Sequence, residues 1–105
     1  MAWVYILVAG LLEIGWALGL KASDGFSRPL PTTFTLIAAA LSFWLLALAM
    51  RDLPAGTAYA VWSGIGAVGT VLLGIMLFGE SLSPARLLCL TMIVGGIAGL
   101  KVFSG

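Results

Sequence analysis

Histidine is absent from these 105 residues, cysteine occurs once, and charged side chains make up only 9% of the chain. Each shortage excludes something. Without histidine there is no imidazole to ligate a metal or to act as a base near neutral pH. The single cysteine, Cys89, cannot form an internal disulfide, and inside an apolar run it reads as a small packing residue. No glycine-rich loop follows a strand-like run, and no basic patch offers a footprint for nucleic acid. The residues therefore predict no cofactor, no metal, no enzyme chemistry and no nucleic-acid partner. Five basic and four acidic side chains also cannot supply the polar surface of a soluble domain this size.

What the chain has in abundance is apolar length. Hydrophobic residues make up 62% of it, and the mean hydropathy is +1.19. The charges fall in clusters: Lys21, Asp24 and Arg28, then Arg51 and Asp52, then Glu80 and Arg86, with Lys101 near the end. Between the clusters lie four runs long enough to cross a hydrocarbon core of about 30 Å as helices. The expected fold is thus all-α and integral to a membrane. A single domain over residues 1–105 would hold helices at about 2–20, 31–50, 55–78 and 85–103. Pro31 and Pro84 suit helix starts, Pro54 marks the break before the third helix, and Asp24-Gly25 signals a turn. The other connections are so short that successive helices must be antiparallel neighbours. Met1-Ala2-Trp3 offers no basic leader, so a cleaved signal peptide is not expected.

One residue breaks the first apolar run. Glu13 lies near the middle of residues 2–20 with no other ionisable side chain there, and a carboxyl at that depth costs at least about 2.5 kcal/mol. At 100° per residue, Gly10 and Trp16 share its side of the helix, as do Ile6, Ala9, Ala17 and Leu20. Small residues there either leave a cavity or simply pack helix on helix. The third helix places Tyr59, Trp62, Ser63, Gly66 and Thr70 along one broad face. Aromatic faces attract a cation and hydroxyls can bond a carboxylate, although Tyr and Trp also serve as interfacial anchors. Ser42 stands deep in the second helix among alanines, where it could equally bond its own backbone. Gly64 and Gly66 mark a candidate bend or a site of close packing. In the fourth helix, Gly95 and Gly99 form a Gly-x-x-x-Gly spacing suited to self-association, and Lys101 reads as a snorkelling anchor.

Orientation in the bilayer is nearly undecided by charge. Lys21, Arg28 and Arg86 fall on one side, Arg51, Lys101 and the amino terminus on the other. The chain either takes one orientation through local effects or inserts both ways and pairs with an inverted copy.

The lone Glu13, Lys21 followed by Gly25-Phe26, and the string Gly56-Thr57-Ala58-Tyr59-Ala60-Val61-Trp62-Ser63-Gly64-Ile65-Gly66 together resemble the small multidrug resistance family. The resemblance covers essentially the whole chain. Trp16 one turn after Glu13, together with Gly10 and Lys101, looks like the guanidinium-exporting subtype. The resemblance implies an antiparallel, dual-topology homodimer in the inner membrane of a bacterium. It further implies proton-coupled antiport of small guanidinium-type cations by alternating access. Glu13 would then take proton or substrate, Gly10, Trp16, Ser42, Tyr59 and Trp62 would line the site and hold Glu13 by hydrogen bonds, and residues 64–66 would be the hinge. Trp16 and Trp62 are expected to sandwich a planar cation. Export of hydrophobic quaternary ammonium ions, a passive channel, and a non-transporting membrane subunit remain as alternatives.

Overall fold

The computed structural model describes residues 1–104; Gly105, where the expected domain ends, lies outside the described residues. Four helices follow one another: α1 (Ala2–Ala22), α2 (Pro29–Ala49), α3 (Ala55–Phe78) and α4 (Pro84–Ser104). Their 21 to 24 residues give lengths of about 31 to 36 Å, enough to cross a hydrocarbon core. All four are long and apolar enough to span a membrane, and each keeps most of its surface outside the protein interior. The chain is a multi-pass membrane protein.

Two helix ends differ from the sequence expectation by two residues, for identifiable reasons, and the others agree to within one. α2 starts at Pro29 and not Pro31, because Arg28 is extended (φ −100°, ψ 118°) and both prolines fit a first turn that needs no N–H. α1 runs on to Ala22, where Ser23 takes over. Its hydroxyl donates to the Leu20 carbonyl at 2.8 Å and accepts from the Phe26 N–H at 3.1 Å. The chain then reverses through three left-handed residues, Asp24, Gly25 and Phe26, at φ 50°, 70° and 67°. Ser23 is fully buried, so it holds together a turn whose φ values only Gly25 adopts freely.

The helices form a slab. α1 packs on α2 along one side and on α3 along the other, while α4 packs mainly on α3 and reaches α1 through Lys101, over the Trp3 ring. The Cα extents are 41 × 34 × 16 Å, so the chain is less than half as deep as it is wide. Ile6, Ala9, Leu46, Ala49, Ala58, Val61 and Trp62 make the dry seam. The accessible surface is 6263 Å², against about 5,600 Å² for a compact globular chain of this mass. Many large apolar side chains face outward, including Leu36, Trp44, Leu88 and Met92. Lipid can cover such a surface; water cannot without penalty.

At the end of the slab where α1 finishes and α4 begins, Glu80 sits between two cations. Lys21 Nζ is 3.6 Å and Arg86 Nη2 4.0 Å from its carboxylate, and Lys21 also lies 5.2 Å from the Phe78 ring centroid. The opposite end carries Met1, Arg51, Asp52 and Lys101.

Candidate functional site: a carboxyl seated on a glycine among aromatics

The carboxyl of Glu13 rests directly on α3 at Gly66. A methyl group at position 66 would collide with the carboxyl oxygen and carbon, and with Cγ at 2.6 Å. Glycine is therefore what lets α1 bring an acid against α3 at this depth. Oε1 is enclosed yet has no hydrogen-bond partner among the described residues. Buried polar atoms are nearly always paired, so an orphan carboxyl oxygen marks a place where something binds or titrates.

The aromatic groups gather one turn away. Trp62 precedes Gly66 by one turn on the same face of α3, and Trp16 follows Glu13 by one turn on α1. Their ring centroids are 6.5 Å apart at 38°. Phe43 of α2 closes the group at 6.0 Å from Trp16 and 5.6 Å from Trp62, and Tyr59 meets Trp62 at 5.6 Å, tilted by 50°. These are mutual aromatic contacts. They also correct the expected sandwich. Two stacking contacts of about 3.5–4 Å each would need about 7 Å or more between parallel faces, so Trp16 and Trp62 leave no slot for a planar cation in this conformation. The Trp16 indole N–H is enclosed and, like Glu13 Oε1, has no partner among the described residues.

Ser42 has a different job from the one expected. Its hydroxyl donates to the Ala9 carbonyl at 2.7 Å and accepts from Trp62 Nε1 at 2.9 Å, fully buried. It makes no bond to Glu13. Ala9 is, however, the residue whose carbonyl takes the Glu13 backbone N–H in the regular helical ladder. Ser42 thus ties α1, α2 and α3 together next to Glu13 and fixes the Trp62 ring. Ser42→Ala should strand the indole N–H and lower stability by about 1–3 kcal/mol, read as a reduced denaturant midpoint in detergent.

The remaining expected residues are spread around this centre. Gly10 is buried under Ile65, where a Cβ would stand 2.7 Å from Cγ2, so it serves close packing of α1 on α3. Ser63 is partly buried and makes no side-chain hydrogen bond among the described residues. Tyr59 is 58% exposed, at the rim. α3 continues as a regular helix through Gly64 and Gly66, with Gly64 facing Ile97 and Ile93 of α4. Gly95 and Gly99 look the other way, and nothing lies within 4 Å of where their Cβ atoms would be. Sequence reasoning missed Phe43 and the seat that Gly66 provides. Phe43 could have been found as the neighbour of Ser42 on a helix otherwise short of polar groups.

Comparison with known proteins agrees with the geometry. The family described as Small Multidrug Resistance protein matches residues 1–93. A protein named Guanidinium exporter from Yersinia pseudotuberculosis serotype I is 62% identical over 104 residues, covering 99% of this chain and 100% of its own. Proteins of the same name from Salmonella typhimurium and Citrobacter freundii are 58% identical over 102 residues, covering 97% of each chain. An unpaired carboxyl in the first span, the aromatic group beside it and full-length similarity all point one way: the chain belongs to the small multidrug resistance family.

Proposed function

We propose that the protein exports guanidinium and small substituted guanidinium cations from a bacterium across its inner membrane in exchange for protons. The observation that carries this reading is the Glu13 carboxyl, enclosed on one oxygen, unpaired, and seated on Gly66 beside Trp16 and Trp62. The names of relatives 58–62% identical over nearly the whole chain support the choice of cation. A carboxyl can hold a proton or pair with a cation, but not both. A guanidinium presents paired N–H donors that match two carboxylate oxygens, and its weakly hydrated faces suit indole rings. Binding would part Trp16 from Trp62 or use their edges. The protein then carries its substrate and changes no covalent bond.

The working unit in this proposal is an antiparallel homodimer, each copy of the chain one four-helix domain of residues 1–105 with Glu13 facing a shared cavity. All four helices keep most of their surface outside the interior, and α4 turns an open face with Gly95 and Gly99 away from α3. The near balance of Lys and Arg between the two ends suits insertion in both orientations. Switching exchanges the conformations of the two inverted subunits, with α3 bending at residues 64–66. Two carboxyls facing one cavity make occupancy by protons or by one cation mutually exclusive, which couples the fluxes when the empty carrier reorients slowly.

Trp16→Gly tests the choice of substrate. Removing the indole should weaken guanidinium selectivity and admit bulkier cations, so tetraalkylammonium ions should compete with guanidinium at least about tenfold better. Unchanged competition would remove Trp16 from the wall.

A further inference from the structure

An apolar groove of about 320 Å³ opens between α1, α3 and α4, floored by Ile6, Val61, Ile65 and Ile97. It is separate from the Glu13 seat. Its volume falls at the lower end of the range for ligand sites, about 300–1,000 Å³. Two polar groups stand at its mouth, Trp3 and Lys101, with Lys101 Nζ 5.1 Å from the Trp3 ring centroid. The Trp3 indole N–H is enclosed and has no acceptor among the described residues. Lys101 has no carboxylate within 4.0 Å among the described residues; the ion pairs of this chain lie at the other end, on Glu80.

Both groups are donors, and neither finds an acceptor among the described residues. A cation is repelled by Lys101, and an apolar helix face of a second copy would leave both donors unpaired in a dry contact. The complementary occupant has an acceptor-rich anionic head and an apolar tail. Its end of the slab carries the amino terminus, Arg51 and Lys101 against Asp52 alone, which favours an anionic headgroup. We propose that the groove holds an anionic phospholipid, its phosphate taken by Lys101 and the Trp3 N–H, its acyl chain laid along Ile6, Ile65 and Ile97. Lys101 and Trp3 are then more than interfacial anchors: they select the lipid that seals the seam between α1, α3 and α4. The site requires only a membrane-embedded chain, whatever cation Glu13 carries.

Trp3 reports on the groove itself. The full chain is reconstituted in phosphatidylcholine vesicles containing a small fraction of either brominated phosphatidylglycerol or brominated phosphatidylcholine. The Trp3 signal is isolated by subtracting the fluorescence of Trp3→Phe. Brominated phosphatidylglycerol should quench it at about fivefold lower mole fraction than brominated phosphatidylcholine, and Lys101→Gln should abolish the difference. Equal quenching by the two lipids in the parent chain, or a preference that survives Lys101→Gln, overturns the proposal. Absence of quenching by either places protein in the groove and overturns it as well.

Discussion

Glu13→Gln should assemble the same four helices and move no guanidinium against a gradient. The amide keeps the shape of the carboxyl and can still rest on Gly66, so packing of α1 on α3 is preserved. It cannot take up or release a proton near neutral pH, nor offer two anionic oxygens to a guanidinium. The loss of a charge-assisted pair, about 1.5–3 kcal/mol, corresponds to about 10- to 150-fold weaker cation binding. Concentrative transport should fall to the level of empty vesicles, because the exchanged proton has no carrier. The check is uptake of labelled guanidinium into proteoliposomes under an imposed pH gradient, with dimer content measured by cross-linking. Full transport by the variant would remove Glu13 from the mechanism. Loss of the assembly instead would give the residue a packing role.

Gly66→Ala is expected to be nearly as damaging, and for a reason that the sequence pattern alone does not show. In an ordinary helix this change adds about 0.8–1 kcal/mol of helix stability. Here the new methyl occupies the place of the Glu13 carboxyl, so either the acid rotates away or α1 and α3 separate. A displacement of about 1 Å at a binding group can lower activity about 100-fold. Guanidinium transport should therefore drop about 10- to 100-fold while the protein remains at least as helical. A double-mutant cycle isolates the contact: in a Glu13→Asp background the shorter acid withdraws from position 66, and the penalty of Gly66→Ala should shrink. An undiminished penalty would mean that Gly66 acts through something other than its contact with Glu13.

Much of the fold was legible because membrane spans are written in bulk composition. Four apolar runs separated by charge clusters leave few other arrangements, and Pro54 and Asp24-Gly25 punctuate them. Where α2 began was harder, since Pro29 and Pro31 both suit a first turn and only the extended Arg28 decides between them. Glu13, Trp16 and Trp62 stood out as costly or bulky groups at helical spacing, and the structure brings their elements together. The partners of Ser42 were not legible. Its bonds run to residues 33 and 20 positions away, which no local pattern encodes. Gly66 was ambiguous for a related reason: a glycine needed for bending and a glycine needed for close approach look the same in one chain. The position of Glu13 across the α1–α3 contact shows the need for close approach at Gly66.

The most direct test follows protons driven by guanidinium alone. Vesicles containing the purified protein and a lumenal pH indicator are loaded with guanidinium and diluted into guanidinium-free buffer at the same pH. Coupled exchange predicts that the lumen acidifies as guanidinium leaves, that tetraethylammonium loading gives a weaker signal, and that Glu13→Gln abolishes it. Guanidinium efflux from the parent protein with no acidification would contradict proton-coupled exchange on Glu13.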